Sequence, residues 1–429
     1  RITALIIEIC GGANTKVGPI DDHIVNLPAR LPVKMRVARA NKVIGVPLST
    51  QQISEIFTRL HLPFSEENGV FLVTPPSYRF DLEIEEDLIE EVARIYGFDN
   101  IPAQAPIAPN HMRIPPENRR AQFALRHRMA DLGYQEVINF SFIDEAQELD
   151  FAGNSAPIRL LNPIASQMNV MRSNLIAGLV ANLRHNLNRK INRVRVFEVG
   201  AVYLRDADAQ DGPLAVAGFQ QPKHLGALAY GQALDEQWGA ASRNVDFFDV
   251  KADVEAMFAP KQLRFSRFEH PALHPGRSAQ VELDGKAIGF IGELHPRWQQ
   301  KYELPLAPVV FELLVDALQQ RDLPSYQEIS KFPAVMRDIA LVVPQTVPAA
   351  DLVAVFTQLQ AENVACKMMQ AIVLFDEYRG KGLQDNEKSL AFRVTLQDTQ
   401  GTLQDEVVEA AMAAFIAAAA QTCGAKVRA

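Results

Sequence analysis

An α+β, multidomain fold is predicted for this 429-residue chain by three observations. The last hundred residues read strand, helix, strand, strand, helix, strand, which is the ferredoxin-like order βαββαβ. The middle of the chain carries alternating apolar strands joined by hairpin turns, with its helices grouped apart, as an antiparallel sheet requires. Ahead of both lies a short αβ unit, small and winged-helix-like, closed by the proline-rich stretch "IPAQAPIAPNHMRIPPE", whose prolines neither continue a helix nor enter a central strand.

Residues 1–28 open with "RITALIIEICGG", a helix or strand without a cap, and read as the tail of a preceding domain of a longer protein. Residues 29–104 form the first complete unit. "PVKMRVARA" is a strand candidate; Ser49 or Thr50 can cap a helix with Ile53, Ile56, Phe57 and Leu60 on its buried face. A turn at Asn68-Gly69 leads into the strand "VFLVTPP", then a second helix with Ile84, Leu88, Val92 and Ile95 inward and Gly97 as its αL cap. Residues 105–326 begin with a helix after Pro115 and Pro116 that runs through Leu125, Met129 and Leu132 and stops at Gly133. "YQEVINFSF" is expected as a strand, "SNLIAGLVANLRHNL" as a helix, and "RVRVFEVGAVYL", "HLGALAYG", "SAQVELDGKAIGFIGELH" and "APVVFELLV" as strands, with a hairpin turn at Asp284-Gly285. Residues 327–429 are the βαββαβ unit, its last helix alanine-rich for close packing, with Thr402 and Asp405 as a capping box.

Net charge is −8, so any RNA contact has to come from local patches rather than from a global field. Cys10, Cys366 and Cys423 lie far apart with no CxxC, which argues against a zinc site or a disulfide framework and fits a reducing, cytoplasmic compartment. No apolar run of about 18 residues and no signal-peptide pattern is read, so no membrane partner is expected.

The segment "SYRFDLEIEEDLIEEVARIYGF" packs seven carboxylates between Asp81 and Glu91. On a helix Asp87, Glu90 and Glu91 share a face, and Asp81 sits where the chain enters that helix. Two readings fit this spacing. One is a solvated face, with first-turn acids favoured by the helix dipole and Glu90 paired to Arg94. The other is an oxygen-ligand set for a hard divalent cation such as magnesium, which takes one or two carboxylates plus water and groups from a partner.

"PSYRFDLEIEEDLIEEVARIYGFDNIP" resembles the metal-site segment of the beta subunit of bacterial phenylalanyl-tRNA synthetases, while "FPAVMRDIALVV", "LFDEYRGKGL" and "KSLAFRVTLQD" resemble that family's ferredoxin-fold anticodon-binding domain. "FEVGAVY", "HPALHPGRSAQ" and "IGFIGELHP" resemble its catalytic-like class II core. The resemblance implies magnesium ligands at Asp81, Asp87, Glu90 and Glu91, an ion shared with the catalytic alpha subunit, and an assembly of two alpha and two beta chains. It also implies phenylalanine tRNA as partner, ATP as substrate of the assembled ligase, and residues 1–28 as the end of an editing domain. No catalytic residue is expected here. The phosphate-clamping arginines of class II synthetases are not found in pattern; "VMRSNL" around Arg172 and "HPGRSA" around Arg277 are the nearest approaches, and no Walker loop or nucleophile elbow occurs.

RNA contact is expected from the last unit, which has 9 Lys and Arg against 11 Asp and Glu in residues 331–429. Aromatic faces stack unpaired bases while basic side chains meet phosphates. Tyr378, Arg379, Lys381, Lys388 and Arg393 are the candidates; Phe375 and Phe392 fit a core role equally well. Arg193 and Arg195 alternate outward on their strand, where tRNA or the alpha subunit could lie, although a solvated helix end is the commoner explanation of this basic run. His270, His274 and His295 suit turns and core better than a metal. The competing class of function is a free-standing RNA-binding or interaction protein built from the same modules.

Overall fold

The computed structural model describes residues 1–112, 114–212, 215–326 and 328–428; Gln327, at an expected boundary, lies outside them. It divides into two compact units, residues 1–113 and 114–429.

In the first unit α1 (Ile2–Cys10) buries none of its residues. β1 (Val33–Arg36) gives way at once to α2 (Val37–Ile44), so "PVKMRVARA" is half strand and half helix. Ala40 and Ile44, spaced by one helical turn, are buried, and Gly45 stops α2 at φ 81. Of the two expected caps, Ser49 or Thr50, it is Ser49 that caps α3 (Thr50–Arg59), in a capping box with Gln52. Asn68 and Gly69, both at positive φ, turn β2 (Phe64–Glu67) into β3 (Val70–Val73). The antiparallel sheet has the order β1-β3-β2.

Helix α4 (Glu85–Tyr96) packs Leu88, Ile89 and Val92 on this sheet and α3, beside the edge-on pair Phe57 and Phe71 at 5.3 Å. Ile84, expected inward, is the exposed residue ahead of the helix. Gly97 ends α4 at φ 98 and ψ 123, a positive φ outside the expected αL region.

The second unit starts with α5 (Gln122–Asp131), β4 (Gln135–Glu136), α6 (Glu145–Ala152), α7 (Ile176–Leu187), β5 (Val194–Ala201) and β6 (Lys223–Tyr230). Only β4 and a two-residue pairing at Phe142–Ile143 realise the strand expected over "YQEVINFSF". It continues with α8 (Phe247–Phe258), β7 (Arg264–Arg267), β8 (Leu273–Leu283), β9 (Lys286–Leu294), α9 (Pro296–Lys301), β10 (Val309–Leu314) and α10 (Val315–Gln319). The seven-stranded sheet has the order β7-β8-β9-β10-β6-β5-β4, antiparallel except for β4 beside β5. Its central strands are buried on both faces, which explains why "VVFELL" is apolar at every position but the buried Glu312. Phe197, Ala227 and Phe311 face one core with α5 and α8, while Val196, Leu228 and Val310 face the other with α7.

The last six elements are β11 (Val335–Pro344), α11 (Ala349–Glu362), β12 (Met369–Tyr378), β13 (Glu387–Leu396), α12 (Asp405–Cys423) and β14 (Lys426–Val427), with the sheet order β12-β13-β11-β14 of a ferredoxin-like fold. Both helices cover one face, where Phe356 and Phe415 meet Leu341, Leu390, Phe392 and Val394. The residue capping α12 is Gln404, without a side-chain bond, so the Thr402–Asp405 box does not form. Among the described residues α12 is the one helix long and apolar enough to cross a membrane. Its Val408, Ala411, Phe415 and Ala419 are buried in the domain core, and the alanines permit that close approach.

Candidate nucleic-acid interface and acidic helix

The four predicted acids of α4 separate into distinct roles. Asp87 turns back over the helix start, where its Oδ2 accepts from the amides of Glu83 and Ile84, each at 2.8 Å. That satisfies two donors before the first turn. Glu91 is buried and shared between two cations: Arg79 Nη2 donates to Oε1 at 2.9 Å and Arg94 Nη2 to Oε2 at 2.6 Å. Arg94 therefore pairs at i+3 with Glu91 rather than with Glu90 as expected. Asp81 receives the same Arg79 guanidinium through Nη2 at 2.6 Å and Nε at 3.0 Å. Glu90 is exposed.

Charge pairing shows in the acidities. The hydrogen bond from Arg79 holds the Asp81 carboxyl below the usual range, and the same guanidinium, with Arg94, lowers Glu91 against the opposing effect of burial. On the next face Arg36 and Arg39 clamp Glu85, which Arg36 takes down to about 2. Among the described residues no three His, Cys, Asp or Glu side chains are gathered as a metal ligand set. As arranged, the four acids do not form a ready magnesium cage: a guanidinium occupies the space between two of them.

In the seven-stranded domain the two arginines nearest to a phosphate clamp are both committed. Arg172 is 3% exposed; its Nη1 donates to Glu198 Oε1 at 2.7 Å and its Nε to the carbonyl of Ala201 at 3.0 Å. Gly200 makes room for it, since a Cβ there would lie 2.2 Å from Arg172 Nη2. Beside it, Leu175 enters the space left by Gly226, and its amide donates to buried Glu312, which also meets His224 Nδ1 at 2.5 Å. Arg277 pairs with Glu293 at 2.7 Å. Around Arg172 the sheet face is filled by the protein's own side chains, whereas Arg277 keeps most of its side chain in solvent.

Arg195, expected outward, lies between Asp253 at 3.0 Å and the Tyr134 ring at 5.1 Å, and Arg193 reaches Asp235 at 3.4 Å. The histidines serve locally. His270 stacks on Phe290 at 4.4 Å, with burial pushing its pKa down to about 4, and His274 and His295 accept from the amides of Gly276 and Arg297.

On the four-stranded sheet, strand alternation divides the RNA candidates. Phe392 is fully buried on the helix side. Lys388 shares its parity and is 7% exposed, so it belongs to the covered side of the sheet. The opposite face is open. There Arg393 is held by both oxygens of Asp338, directly across β11, at 2.7 and 2.8 Å, and its guanidinium lies 5.4 Å from the Phe375 ring. Tyr378 lies under Arg428 at 4.5 Å and donates its hydroxyl to the Lys381 carbonyl at 3.1 Å. Between these two cation–aromatic pairs the strands carry the small residues Ala340 and Ala391, paired in register. Arg379 is bonded to Glu377, and Lys381 is exposed at the strand end. Arg428 escaped sequence reasoning, because only the pairing of β14 on β11 brings the C-terminal residues beside Tyr378. Two aromatic rings on this open face, each with a guanidinium over it, have the chemistry to stack bases and meet phosphates.

Three family models match the chain in succession: the tRNA synthetase B5 domain over residues 33–98, the phenylalanyl tRNA synthetase beta chain CLM domain over 101–315, and the ferredoxin-fold anticodon binding domain over 330–428. The chain belongs to the phenylalanyl-tRNA synthetase beta-chain family. It is 59% identical to the phenylalanine–tRNA ligase beta subunit of Burkholderia lata, 58% to that of Ralstonia nicotianae and 52% to that of Dechloromonas aromatica, in each case over 100% of this chain and 53% of the relative. It thus spans about half the length of the curated relatives it matches. A solved structure, Desulfitobacterium hafniense PylSc, a pyrrolysyl tRNA synthetase, overlaps 64% of this chain and 91% of its own at 12% identity and a TM-score of 0.34, too slight a likeness to bear on the fold. In the core domain of this beta-chain relative, Arg172 is held in a buried ion pair with Glu198, and Arg277 in an exposed one with Glu293.

Proposed function

We propose that this chain acts as the beta subunit of phenylalanine–tRNA ligase, supporting ATP-dependent attachment of phenylalanine to its tRNA without supplying the reacting groups. The open face of the four-stranded sheet carries this reading, because Tyr378, Phe375, Arg393 and Arg428 place stacking surfaces and cations on one side of an anticodon-binding fold. ATP is bound by the partner, the catalytic alpha subunit, in an assembly of two alpha and two beta chains; the buried pairing of Arg172 with Glu198 supports that division of labour. The anticodon loop of phenylalanine tRNA meets residues 327–429, residues 29–104 and 105–326 serve assembly, and the cytoplasm is the compartment, in keeping with three free thiols.

Magnesium belongs to the same proposal. Asp81, Asp87, Glu90 and Glu91 are hard oxygen donors of the right class, and a partner would complete the coordination. Holding the ion requires Arg79 to leave Asp81 and Glu91.

The test is copurification of the chain with the phenylalanyl alpha subunit, followed by aminoacylation with tRNA added. A complex that charges tRNA, while neither chain does so alone, is the expected result. Failure to form a complex under any magnesium concentration would leave an RNA-binding module without a ligase and overturn the proposal.

A further inference from the structure

We infer that the C-terminal end of α7 and helix α9 together form a second RNA-binding surface, which takes the phosphate backbone of a folded tRNA outside its anticodon arm. The inference rests on the tRNA-ligase reading above and adds to it a contact on the core domain.

The basic run of residues 184–195 splits in the structure. Arg193 and Arg195 turn in to Asp235 and Asp253. Arg184, Arg189 and Lys190 stay exposed where α7 ends, and Lys190, at φ 66, turns the chain away from the helix. Among the described residues no carboxylate pairs with these three; Arg189 donates instead to the carbonyl of His185 at 3.2 Å.

A second element brings its own cations to the same place. Arg184 lies 5.9 Å from the Tyr302 ring and Lys301 of α9 lies 5.8 Å from it, so the two helices share that ring. Lys301 and Arg297 in turn share the Trp298 ring, at 5.4 and 4.2 Å. Lys301 is bonded to Asp150, whereas Arg297 gives one nitrogen to the Pro271 carbonyl at 2.9 Å. A guanidinium resting on a ring or a carbonyl keeps its full charge and its spare N–H donors, while one locked on a carboxylate is neutralised. Arg184, Arg189, Lys190 and Arg297 are thus uncompensated cations on a chain of net charge −8, and a polyanion is the partner that such a local patch attracts.

The place of this strip sets the kind of RNA. Arg264, at the hairpin end of the β8–β9 pair, meets Asp351 of the four-stranded domain at 3.2 Å. Ala287, level with Arg264 through Glu282, stands seven residues before Leu294, which precedes α9, so about 23 Å of strand separates that contact from the strip. An RNA that meets both the open sheet face and this strip has to extend well beyond an anticodon loop, as a folded tRNA does.

The experiment uses the chain assembled with the phenylalanyl alpha subunit and follows the fluorescence anisotropy of phenylalanine tRNA, and of its isolated anticodon stem-loop, over a range of salt. Arg184→Gln with Arg189→Gln and Lys190→Gln is expected to weaken full-length tRNA by at least about tenfold near ~0.1 M salt and to lower the salt slope by about 2, as the loss of three phosphate contacts requires. Stem-loop affinity is expected to stay within about twofold. Arg297→Gln, on the other helix, should lower the slope for full-length tRNA by about 1. The control, Lys34→Gln with Lys42→Gln and Lys286→Gln, removes three exposed cations from elsewhere on the molecule and should change tRNA affinity by less than about twofold. Equal weakening in the control would reduce the effect to net charge and overturn the inference, as would unchanged tRNA binding in the triple variant or a loss shared equally by the stem-loop. An unchanged slope in Arg297→Gln would refute a surface built from two helices. A triple variant that no longer assembles with the alpha subunit would assign the strip to the protein partner and overturn the RNA reading. If neither RNA binds the wild-type complex, the ligase reading falls and takes the inference with it.

Discussion

Replacing Arg172 by methionine removes one half of an ion pair whose two members are each 3% exposed. The methionine keeps the length of the side chain, so little packing is lost and the electrostatic effect dominates. Glu198 keeps the bond from Asn139 Nδ2 at 2.8 Å but loses its cation, and the Ala201 carbonyl loses its donor. Breaking a buried pair from one side costs about 3–5 kcal/mol, a large share of the ~5–15 kcal/mol by which domains are stable. Replacing both partners, Arg172→Met with Glu198→Met, leaves no stranded charge and is expected to cost about 2 kcal/mol less than the single change. Trp238 and Trp298, the only two tryptophans, both lie in this domain, so their fluorescence reports its unfolding in urea. With a slope of about 2–3 kcal/mol per molar urea the midpoint of Arg172→Met falls by roughly 1–2 M. A single substitution costing under about 1 kcal/mol, or a double variant as unstable as the sum of the singles, would refute the view that this pair fills the sheet face as structure. A nucleotide-clamping arginine would show the opposite pattern, with stability retained and ATP affinity lost.

The acids of the first unit give a pH prediction with a definite sign. Asp81, Glu85 and Glu91 have folded pKa values below their ordinary ones, so their contribution is present above the ordinary carboxylate range and is lost as pH falls. For Glu85 the window runs from about 4.5 to about 2, and its carboxyl ¹³C resonance should titrate near the lower figure; a midpoint above 4 would dissolve the Arg36 clamp. In the four-stranded domain Phe392→Ala should cost about 3–5 kcal/mol in thermal or urea unfolding, whereas Phe375→Ala, on the open face, should cost under about 1 kcal/mol. Equal costs would refute the assignment of the two rings to a covered and an open face. Tyr378→Ala should weaken binding of a single-stranded anticodon-loop RNA by about 1–3 kcal/mol, measured by fluorescence anisotropy at fixed salt, and unchanged binding would remove Tyr378 from the interface.

Much of this protein was legible in its sequence because the signals are local. The Ser49–Gln52 cap, the Asn68-Gly69 and Asp284-Gly285 turns and the βαββαβ order each depend on neighbours a few residues apart, and each is found in the structure. Helix α8 carries such a local signal too, in the Asp246–Asp249 box with Val250, Val254 and Met257 buried behind it. Family membership was equally local, carried by motifs in order along the chain. What only the tertiary structure decided is the partner of each charge. Arg79 joins Asp81 to Glu91, Arg172 meets Glu198 across 26 residues, Arg195 turns in to Asp253, and Arg428 arrives over Tyr378. A helical or strand period shows which face a side chain takes, but a long flexible arginine reaches across elements, and its choice among carboxylates is settled by burial, where an unpaired charge is most costly.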